Sequence, residues 1–107
     1  MVKILRYVRN NGRIPFDEWL DSLRDKNVQS RVQFRLRQLT LGVWGDAVPV
    51  GRGVIELRIH EGAGYRVYCA RHGDAIVILF CGGSKSTQQS DIARAQRFWA
   101  EWKRSQK

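Results

Sequence analysis

The amino-acid sequence predicts a single α+β domain in which helices pack on a mostly antiparallel, twisted sheet. Apolar residues recur at helical spacing in two N-terminal segments and in one C-terminal segment, and three consecutive segments between them read as strands. The expected order is β-α-α-β-β-β-α, with the two N-terminal helices on one face of the sheet and a C-terminal helix. A chain of 107 residues suits one domain, so we expect residues 1–107 to share a single fold.

The N-terminal part should form a strand and two helices. Lys3 to Arg9 alternates apolar and basic residues as a strand does, and Asn10-Asn11-Gly12 interrupts it. Pro15 suits the first turn of a helix. The apolar face of this helix holds Phe16, Trp19, Leu20 and Leu23. A second helix, which should end at Gly42, has its apolar face at Val28, Val32, Leu36 and Leu39.

The rest of the chain should supply the sheet and a last helix. Trp44 to Arg52 contains Pro49 and is predicted to be a loop or a short edge strand. The three expected strands are Val54 to His60, Tyr65 to Arg71, and Ala75 to Cys81. Ser86 and Gln89 have the spacing of a capping box, which favours a helix from about Gln88 to Arg104. The buried side of that helix should hold Ile92, Ala95, Trp99 and Trp102.

The charge of the chain favours an anionic partner. Nineteen Lys and Arg residues oppose ten Asp and Glu residues, for a net charge of +9. Such a balance favours nucleic acid, an anionic membrane surface or an acidic protein. The longest apolar run, Ala75 to Cys81, is too short to span a membrane, and the first residues do not resemble a signal peptide. Cys69 and Cys81 lack metal-ligand spacing, so we expect buried free thiols in a cytoplasmic protein, although a disulfide between neighbouring strands is an alternative.

Strand alternation predicts a basic patch on the sheet. If Ile55, Leu57 and Ile59 point inward, then Glu56, Arg58 and His60 point outward. On the next strand, Arg66 and Tyr68 share the outward face by the same rule. A loop of residues 61–65 would pair His60 with Arg66 and Arg58 with Tyr68. The predicted patch, over which Lys85 can reach from the end of the third strand, consists of Arg58, His60, Arg66 and Tyr68.

These residue types suit RNA cleavage without a metal or another cofactor. Arg58, Arg66 and Lys85 can stabilise the charge of a phosphorane. His60 can act as acid or base, since the reference pKa of histidine is about 6.5. Tyr68 can donate a hydrogen bond, stack on a base or protonate a leaving group. The alternatives without function are surface ion pairs of Arg58 with Glu56 and of Arg66 with Glu61, a solvated His60 and a half-buried Tyr68.

Two further segments are candidates for RNA binding. The polar face of the second helix carries Arg31, Arg35 and Arg37, which can follow a phosphate backbone or can simply be solvated. The segment Gly82-Gly83-Ser84-Lys85 is predicted to be a loop, in which Ser84 and Lys85 hold a phosphate against the N-terminus of the following helix.

The same residues carry a resemblance to a known family. Glu56-Leu57-Arg58-Ile59, Gly64-Tyr65-Arg66-Val67-Tyr68 and the run from Gly82 to Ile92 closely resemble phage-derived addiction-module killer proteins, which are HigB-like members of the RelE/ParE toxin superfamily. The likeness covers nearly the whole chain. It includes Phe16 to Leu20, Arg35 to Leu39, Gly45-Asp46 and Val50 to Gly53.

The resemblance implies a RelE-like fold and the toxin of a type II toxin–antitoxin system, neutralised by a helix-turn-helix, HigA-like antitoxin. RelE- and HigB-like members cut mRNA on the ribosome without metal, whereas ParE-like members inhibit DNA gyrase. Arg66 matches the active-site arginine, Arg58 an expected basic strand residue, and Lys85 a basic loop residue. The last helix lacks the tyrosine of RelE, so His60 or Tyr68 would take its part. We therefore expect an mRNA endonuclease, with a gyrase inhibitor or a non-catalytic nucleic-acid-binding module as alternatives.

Overall fold

A five-stranded sheet with helices on both faces organises residues 1–106, the part of the chain that the computed structural model describes. The strands are β1 (Lys3–Arg6), β2 (Ala47–Pro49), β3 (Ile55–Ile59), β4 (Tyr65–His72) and β5 (Ile76–Ser84). They lie in the order β1-β5-β4-β3-β2, and β1 runs parallel to β5 while the other neighbouring pairs are antiparallel. This confirms the α+β class, and β2 is the short edge strand expected as one alternative for its segment.

Helices α1 (Pro15–Ser22) and α2 (Lys26–Thr40) cover one face of this sheet. Proline opens α1, where its missing N–H costs nothing, and the Asp25 side chain caps α2 by accepting from the backbone N–H of Asn27. The apolar residues at helical spacing enter the first core, as predicted. Its most buried members are Phe16, Val28, Val32, Leu39, Leu57, Val67, Cys69, Val77 and Leu79.

The third helix, α3 (Gln88–Ser105), covers the opposite face, over β4 and β5. A second core forms there from Tyr7, Val54, Tyr68, Ala70, Ile78, Phe80, Cys81, Ala95, Phe98 and Trp99. This face was expected to be open at Glu56 and Tyr68, and that expectation is wrong, because both residues are fully buried. Alternation indicates which face a strand residue takes but not which element covers that face.

The register between β3 and β4 differs from the expected one. Arg58 lies opposite Arg66 and Glu56 lies opposite Tyr68, instead of His60 opposite Arg66 and Arg58 opposite Tyr68. The strand β3 ends at Ile59, which pairs with Tyr65. The turn between the two strands therefore consists of residues 60–64, whereas residues 61–65 were predicted. Gly62 and Gly64 take positive φ in that turn. The pairing is shifted by two residues, so the predicted faces of the strand residues are retained.

Gly82 and Gly83 lie within β5 and not in a phosphate-binding loop, which corrects the prediction for this segment. A side chain at Gly82 would overlap the Trp19 ring of α1, and one at Gly83 would overlap the Asp91 carboxylate of α3. Two helices therefore approach the strand closely, from opposite faces, where glycines leave room for them. The sequence shows the glycines but not the neighbours that require them.

The predicted capping box at the start of the last helix does not form. A single 3₁₀ turn, Lys85–Thr87, follows β5, and Thr87 takes the cap position of α3 without a side-chain bond to the helix backbone. The Ser86 hydroxyl instead pairs with the Ser84 hydroxyl at 2.8 Å. The turn moves Ser86 away from the position that a capping residue occupies.

The two cysteines are free and buried, as expected. Cys69 belongs to the core under α1 and α2, and Cys81 to the core under α3, so the two thiols lie on opposite faces of the sheet. Burial raises the pKa of each thiol to about 12, which suppresses the reactive thiolate. Among residues 1–106, no helix has the length and apolar character needed to cross a membrane.

Candidate phosphate-binding site

Arg58 and Arg66 form the centre of the candidate site. They are directly opposed on β3 and β4 and therefore share one face of the sheet, as predicted. On the side of β4 away from β3, Arg66 lies opposite Gly83 of β5. Because glycine has no side chain, β5 adds no side chain to this row. The Arg58 side chain is 39% exposed and that of Arg66 only 12%. Two like charges on opposed positions would repel one another if nothing lay between them.

A buried carboxylate compensates this repulsion. One oxygen of Glu56, Oε1, accepts a hydrogen bond from Arg58 Nε at 3.0 Å and lies 3.6 Å from Arg66 Nε. The other oxygen, Oε2, accepts from the Tyr68 hydroxyl at 3.1 Å and from Gln88 Nε2 at 2.9 Å. Glu56 thus links both arginines to Tyr68 of β4 and to Gln88, the first residue of α3.

Arg66 retains unused hydrogen-bonding capacity. Its Nη1 donates to the Gly64 carbonyl at 3.3 Å, a long bond. Its Nε is buried and has no hydrogen-bond partner among the described residues. Two guanidinium groups stand against one carboxylate, so the cluster carries one net positive charge. An anion that reaches this face would meet the net charge and the terminal Nη groups, since the buried Nε faces Glu56.

The electrostatics of Glu56 and Tyr68 follow from this arrangement. Burial alone would raise the pKa of Glu56, but hydrogen bonds from Gln88, Arg58 and Tyr68, together with the charge of Arg66, lower it below its ordinary value. Burial and the neighbouring Glu56 raise the pKa of Tyr68 well above 10. Stacking on a base or protonating a leaving group requires an accessible ring or hydroxyl, and Tyr68 presents neither.

His60 lies apart from the arginine pair, just beyond the end of β3. Its side chain is 76% exposed, and its Nε2 lies 2.5 Å from Asp46 Oδ2. This hydrogen bond is the main cause of a lowered pKa of Asp46. His60 and Arg58 both line an open groove of about 290 Å³, which Phe34 also lines. The imidazole is therefore accessible to a ligand that also contacts Arg58.

Lys85 and Ser84 lie at the end of β5 nearest to Arg66. Ser84 is half-buried opposite Tyr65, and Lys85 begins the 3₁₀ turn with an exposed side chain. Within residues 1–106, the Lys85 ammonium makes neither a hydrogen bond nor an ion pair. It is two residues beyond Gly83, the partner of Arg66 on β5. An extended lysine at this position has the freedom to approach a ligand on the arginine pair.

The three arginines of α2 do not form one surface. Arg31 pairs with Glu61 at 3.1 Å, and Arg37 lies over the Phe34 ring, 5.8 Å from its centre. Arg35 donates to the backbone carbonyls of Trp44 and Asp46 at 2.7 and 3.0 Å, and burial lowers its pKa. Arg35 therefore supports the loop before β2, whereas Arg31 and Arg37 remain accessible.

Sequence reasoning did not assign Glu56, Gln88 and Asp46 to the site. Glu56 was interpreted as a possible surface partner of Arg58, and its full burial depends on α3, which is distant in the sequence. Gln88 is 32 residues from Glu56 and nothing in its local pattern predicts the contact. No cluster of His, Cys, Asp or Glu suited to a metal ion occurs among the described residues.

Comparison with known proteins assigns the chain to a family. Residues 18–99 match a family model described as "Phage derived protein Gp49-like (DUF891)". The chain belongs to this family. The Gp49-like proteins are a RelE-like family associated with the toxins of toxin–antitoxin systems. The matched segment contains every residue of the Arg58, Arg66 and Glu56 cluster, together with His60 and Lys85.

The Gp49-like chain also resembles a protein of Haemophilus influenzae (strain ATCC 51907 / DSM 11121 / KW20 / Rd). The two are 43% identical over 83 residues, which is 78% of this chain and 84% of the relative. That relative is described as an uncharacterized protein. The membership of a toxin family implies an antitoxin partner for this Gp49-like protein.

Proposed function

We propose that this Gp49-like protein is the toxin of a type II toxin–antitoxin system and cuts mRNA on the ribosome without a metal ion. The observation that carries the proposal is the pair of opposed arginines, of which Arg66 is nearly buried and makes only one long hydrogen bond with its terminal nitrogens. A site of this kind suits a phosphodiester, whose charge rises in the transition state. In this role the protein acts in the cytoplasm, where ribosomes and mRNA are found.

Each arginine has a role in this mechanism. The 2′-hydroxyl of a nucleotide attacks the adjacent phosphorus, and the bond to the 5′-oxygen of the next nucleotide breaks. Arg66 and Arg58 donate to the phosphate oxygens as they gain charge. Because Arg66 is shielded from water, its interaction with that charge is stronger than it would be at the surface. Lys85 adds a mobile positive charge from the end of β5.

His60 is the best placed group for proton transfer. It is accessible, it shares a groove with Arg58, and Asp46 orients its imidazole through Nε2. A histidine can accept the 2′-hydroxyl proton or donate one to the leaving 5′-oxygen near neutral pH. Tyr68 is buried and bonded to Glu56, so the proposal gives it no contact with RNA.

The partner in this proposal is a helix-turn-helix antitoxin of the HigA-like type. A net charge of +9 favours a partner that presents acidic groups. The antitoxin can cover the arginine pair directly, or it can prevent the toxin from reaching the ribosome.

The deciding experiment is cleavage of a defined mRNA on programmed ribosomes by the purified protein, in the magnesium-containing buffer that keeps ribosomes intact. We expect new 5′ ends within the mRNA in the presence of ribosomes and none on naked mRNA. A His60→Gln variant should cut more slowly if this residue transfers a proton. Intact mRNA, with inhibition of DNA supercoiling by gyrase in a parallel assay, would instead support the ParE-like alternative.

A further inference from the structure

We propose that Glu56 is a positioning residue, which holds the guanidinium groups of Arg58 and Arg66 so that their terminal nitrogens face one phosphate. This inference rests on the proposed function. Glu56 does not contact RNA itself, because no part of its side chain is exposed. It acts through the two arginines, whose side chains are 39% exposed in Arg58 and 12% exposed in Arg66.

The atoms that make contact support this assignment. Glu56 Oε1 approaches both arginines at Nε, 3.0 Å from Arg58 and 3.6 Å from Arg66. The terminal Nη groups are therefore not used by the carboxylate. Among residues 1–106, the Nη groups of Arg58 make no hydrogen bond, and those of Arg66 make one long bond to the Gly64 carbonyl. A carboxylate that merely neutralised the arginines would more often bind their terminal nitrogens in the bidentate geometry.

The carboxylate is itself held in place from the other side. Oε2 accepts from Tyr68 on β4 and from Gln88 at the start of α3. These donors fix the carboxylate, so that Oε1 accepts a hydrogen bond from the Nε–H of Arg58 and attracts the Arg66 guanidinium at 3.6 Å. Arginine side chains lose much rotamer freedom when they are fixed in this way, and that cost is paid before RNA binds.

A purely structural role for Glu56 makes different predictions. In that case the residue only anchors α3 to β3 through Gln88, and its removal affects folding without affecting the orientation of the arginines. The two roles can be distinguished when protein stability, hydrogen exchange of the arginine Nε–H groups and the rate of mRNA cleavage are measured on the same variants. Glu56→Gln is the first variant, because it removes the charge with little change of size.

The first measurement is the NMR signal of the arginine Nε–H groups, which requires no activity. We expect slow hydrogen exchange at Arg58 and Arg66 in the wild type, and exchange at Arg58 at least about tenfold faster in Glu56→Gln. Arg71 lies on β4 over the Trp44 ring and serves as an internal control whose signal stays unchanged. Unchanged exchange at both site arginines in a folded Glu56→Gln protein would overturn the inference.

The second measurement is single-turnover cleavage of ribosome-bound mRNA. Partners that orient a reacting group typically change its activity by about 10–100-fold, and we expect such a loss in Glu56→Gln. The loss should shrink to a few-fold when Arg58 or Arg66 has already been replaced by alanine, because residues that act as a unit are not additive. A loss that stays undiminished in both arginine backgrounds contradicts positioning.

Gln88→Ala extends the test if Glu56→Gln does not fold. It removes one donor from Oε2 while the carboxylate and both arginines remain, and we expect faster arginine exchange with a several-fold slower cleavage. No change in either quantity overturns the inference. If the wild-type protein leaves mRNA intact, the proposed nuclease activity is wrong. The hydrogen exchange of the arginine Nε–H groups tests the positioning role of Glu56 independently of that activity.

Discussion

At the scale of single residues, a nearly buried positive charge matters most to the proposed chemistry. Arg66 is 12% exposed, yet its Nε has no hydrogen-bond partner in the described part of the chain. A buried donor without a partner reduces the stability of the folded protein, typically by about 1–3 kcal/mol. That Nε lies 3.6 Å from the Glu56 carboxylate, so a bound phosphate would meet the terminal Nη groups of Arg66 and not this buried nitrogen.

Replacement of Arg66 by alanine should abolish toxicity. Loss of one electrostatic contact to the transition state typically lowers the rate by about 10²–10³. Arg66→Lys should retain part of the activity, since it keeps the charge but not the planar set of donors. Growth on induction and single-turnover cleavage measure the effect.

The matched control for this prediction is Arg71→Ala. It removes the same charge from the same strand, at an exposed position over Trp44. Circular dichroism and thermal melts show whether each variant is folded. A folded Arg66→Ala protein with the wild-type rate would exclude the arginine pair as the active site.

The titration of Glu56 predicts a specific loss of stability in acid. Its pKa in the folded protein lies below the ordinary value of 4.5, so the folded state favours the ionised form. The stabilisation is therefore complete above about pH 4.5 and is lost as the pH falls through the folded pKa. Urea unfolding between pH 7 and pH 3 should show the stability difference between wild type and Glu56→Gln shrinking below pH 4.5.

Glu18→Gln provides the comparison for this pH series, since Glu18 is an exposed residue of α1 that pairs with Arg13. Exposed pairs contribute little, so this variant should follow the wild-type curve closely. A stability difference for Glu56→Gln that does not change with pH would mean that folding does not lower the pKa of Glu56.

At the scale of elements, Gly83 determines how closely α3 can approach β5. A side chain there would overlap the Asp91 carboxylate, which also accepts a hydrogen bond from Thr87 at 2.5 Å. We expect Gly83→Ala to destabilise the protein by about 1–3 kcal/mol, as overpacking typically does. Urea denaturation measures this. Ser84→Ala, one residue further along the strand and half-buried, should change the stability much less, and equal effects would argue against the packing explanation.

Most of these elements follow from sequence periodicity, and the site does so in part. The helical spacing of Phe16 and Leu20, and of Val28 and Val32, was sufficient to predict both N-terminal helices and their buried faces, because each helix buries only one face. Alternation also placed Arg58 and Arg66 on one face, and this survived an error of two residues in the register. The burial of Glu56 and Tyr68 was not predictable, because it depends on α3 closing over the second face.

At the scale of the whole molecule, charge dominates the interactions that we expect. The net charge of +9 gives the chain a long-range attraction for acidic partners that salt weakens. An antitoxin encoded by the reading frame next to the gene for this protein should restore growth when the two proteins are expressed together. Arg66→Ala should still bind the antitoxin, since it removes only one unit of the net charge of +9. Co-purification at low and at high salt tests both statements, and failure of the neighbouring reading frame to restore growth would count against the toxin assignment.

The strand β5 is hydrogen-bonded along both edges, to β1 and β4, and seven of its nine residues are buried. It contributes Val77 and Leu79 to one core, and Ile78 and Phe80 to the other. Opening this strand would require both cores to come apart together. Its amides should therefore be the last to exchange with deuterium, at the rate set by global unfolding, while the short edge strand β2 exchanges early. The two sides of the molecule are thus expected to melt as one cooperative unit, although they have almost no side chains in common.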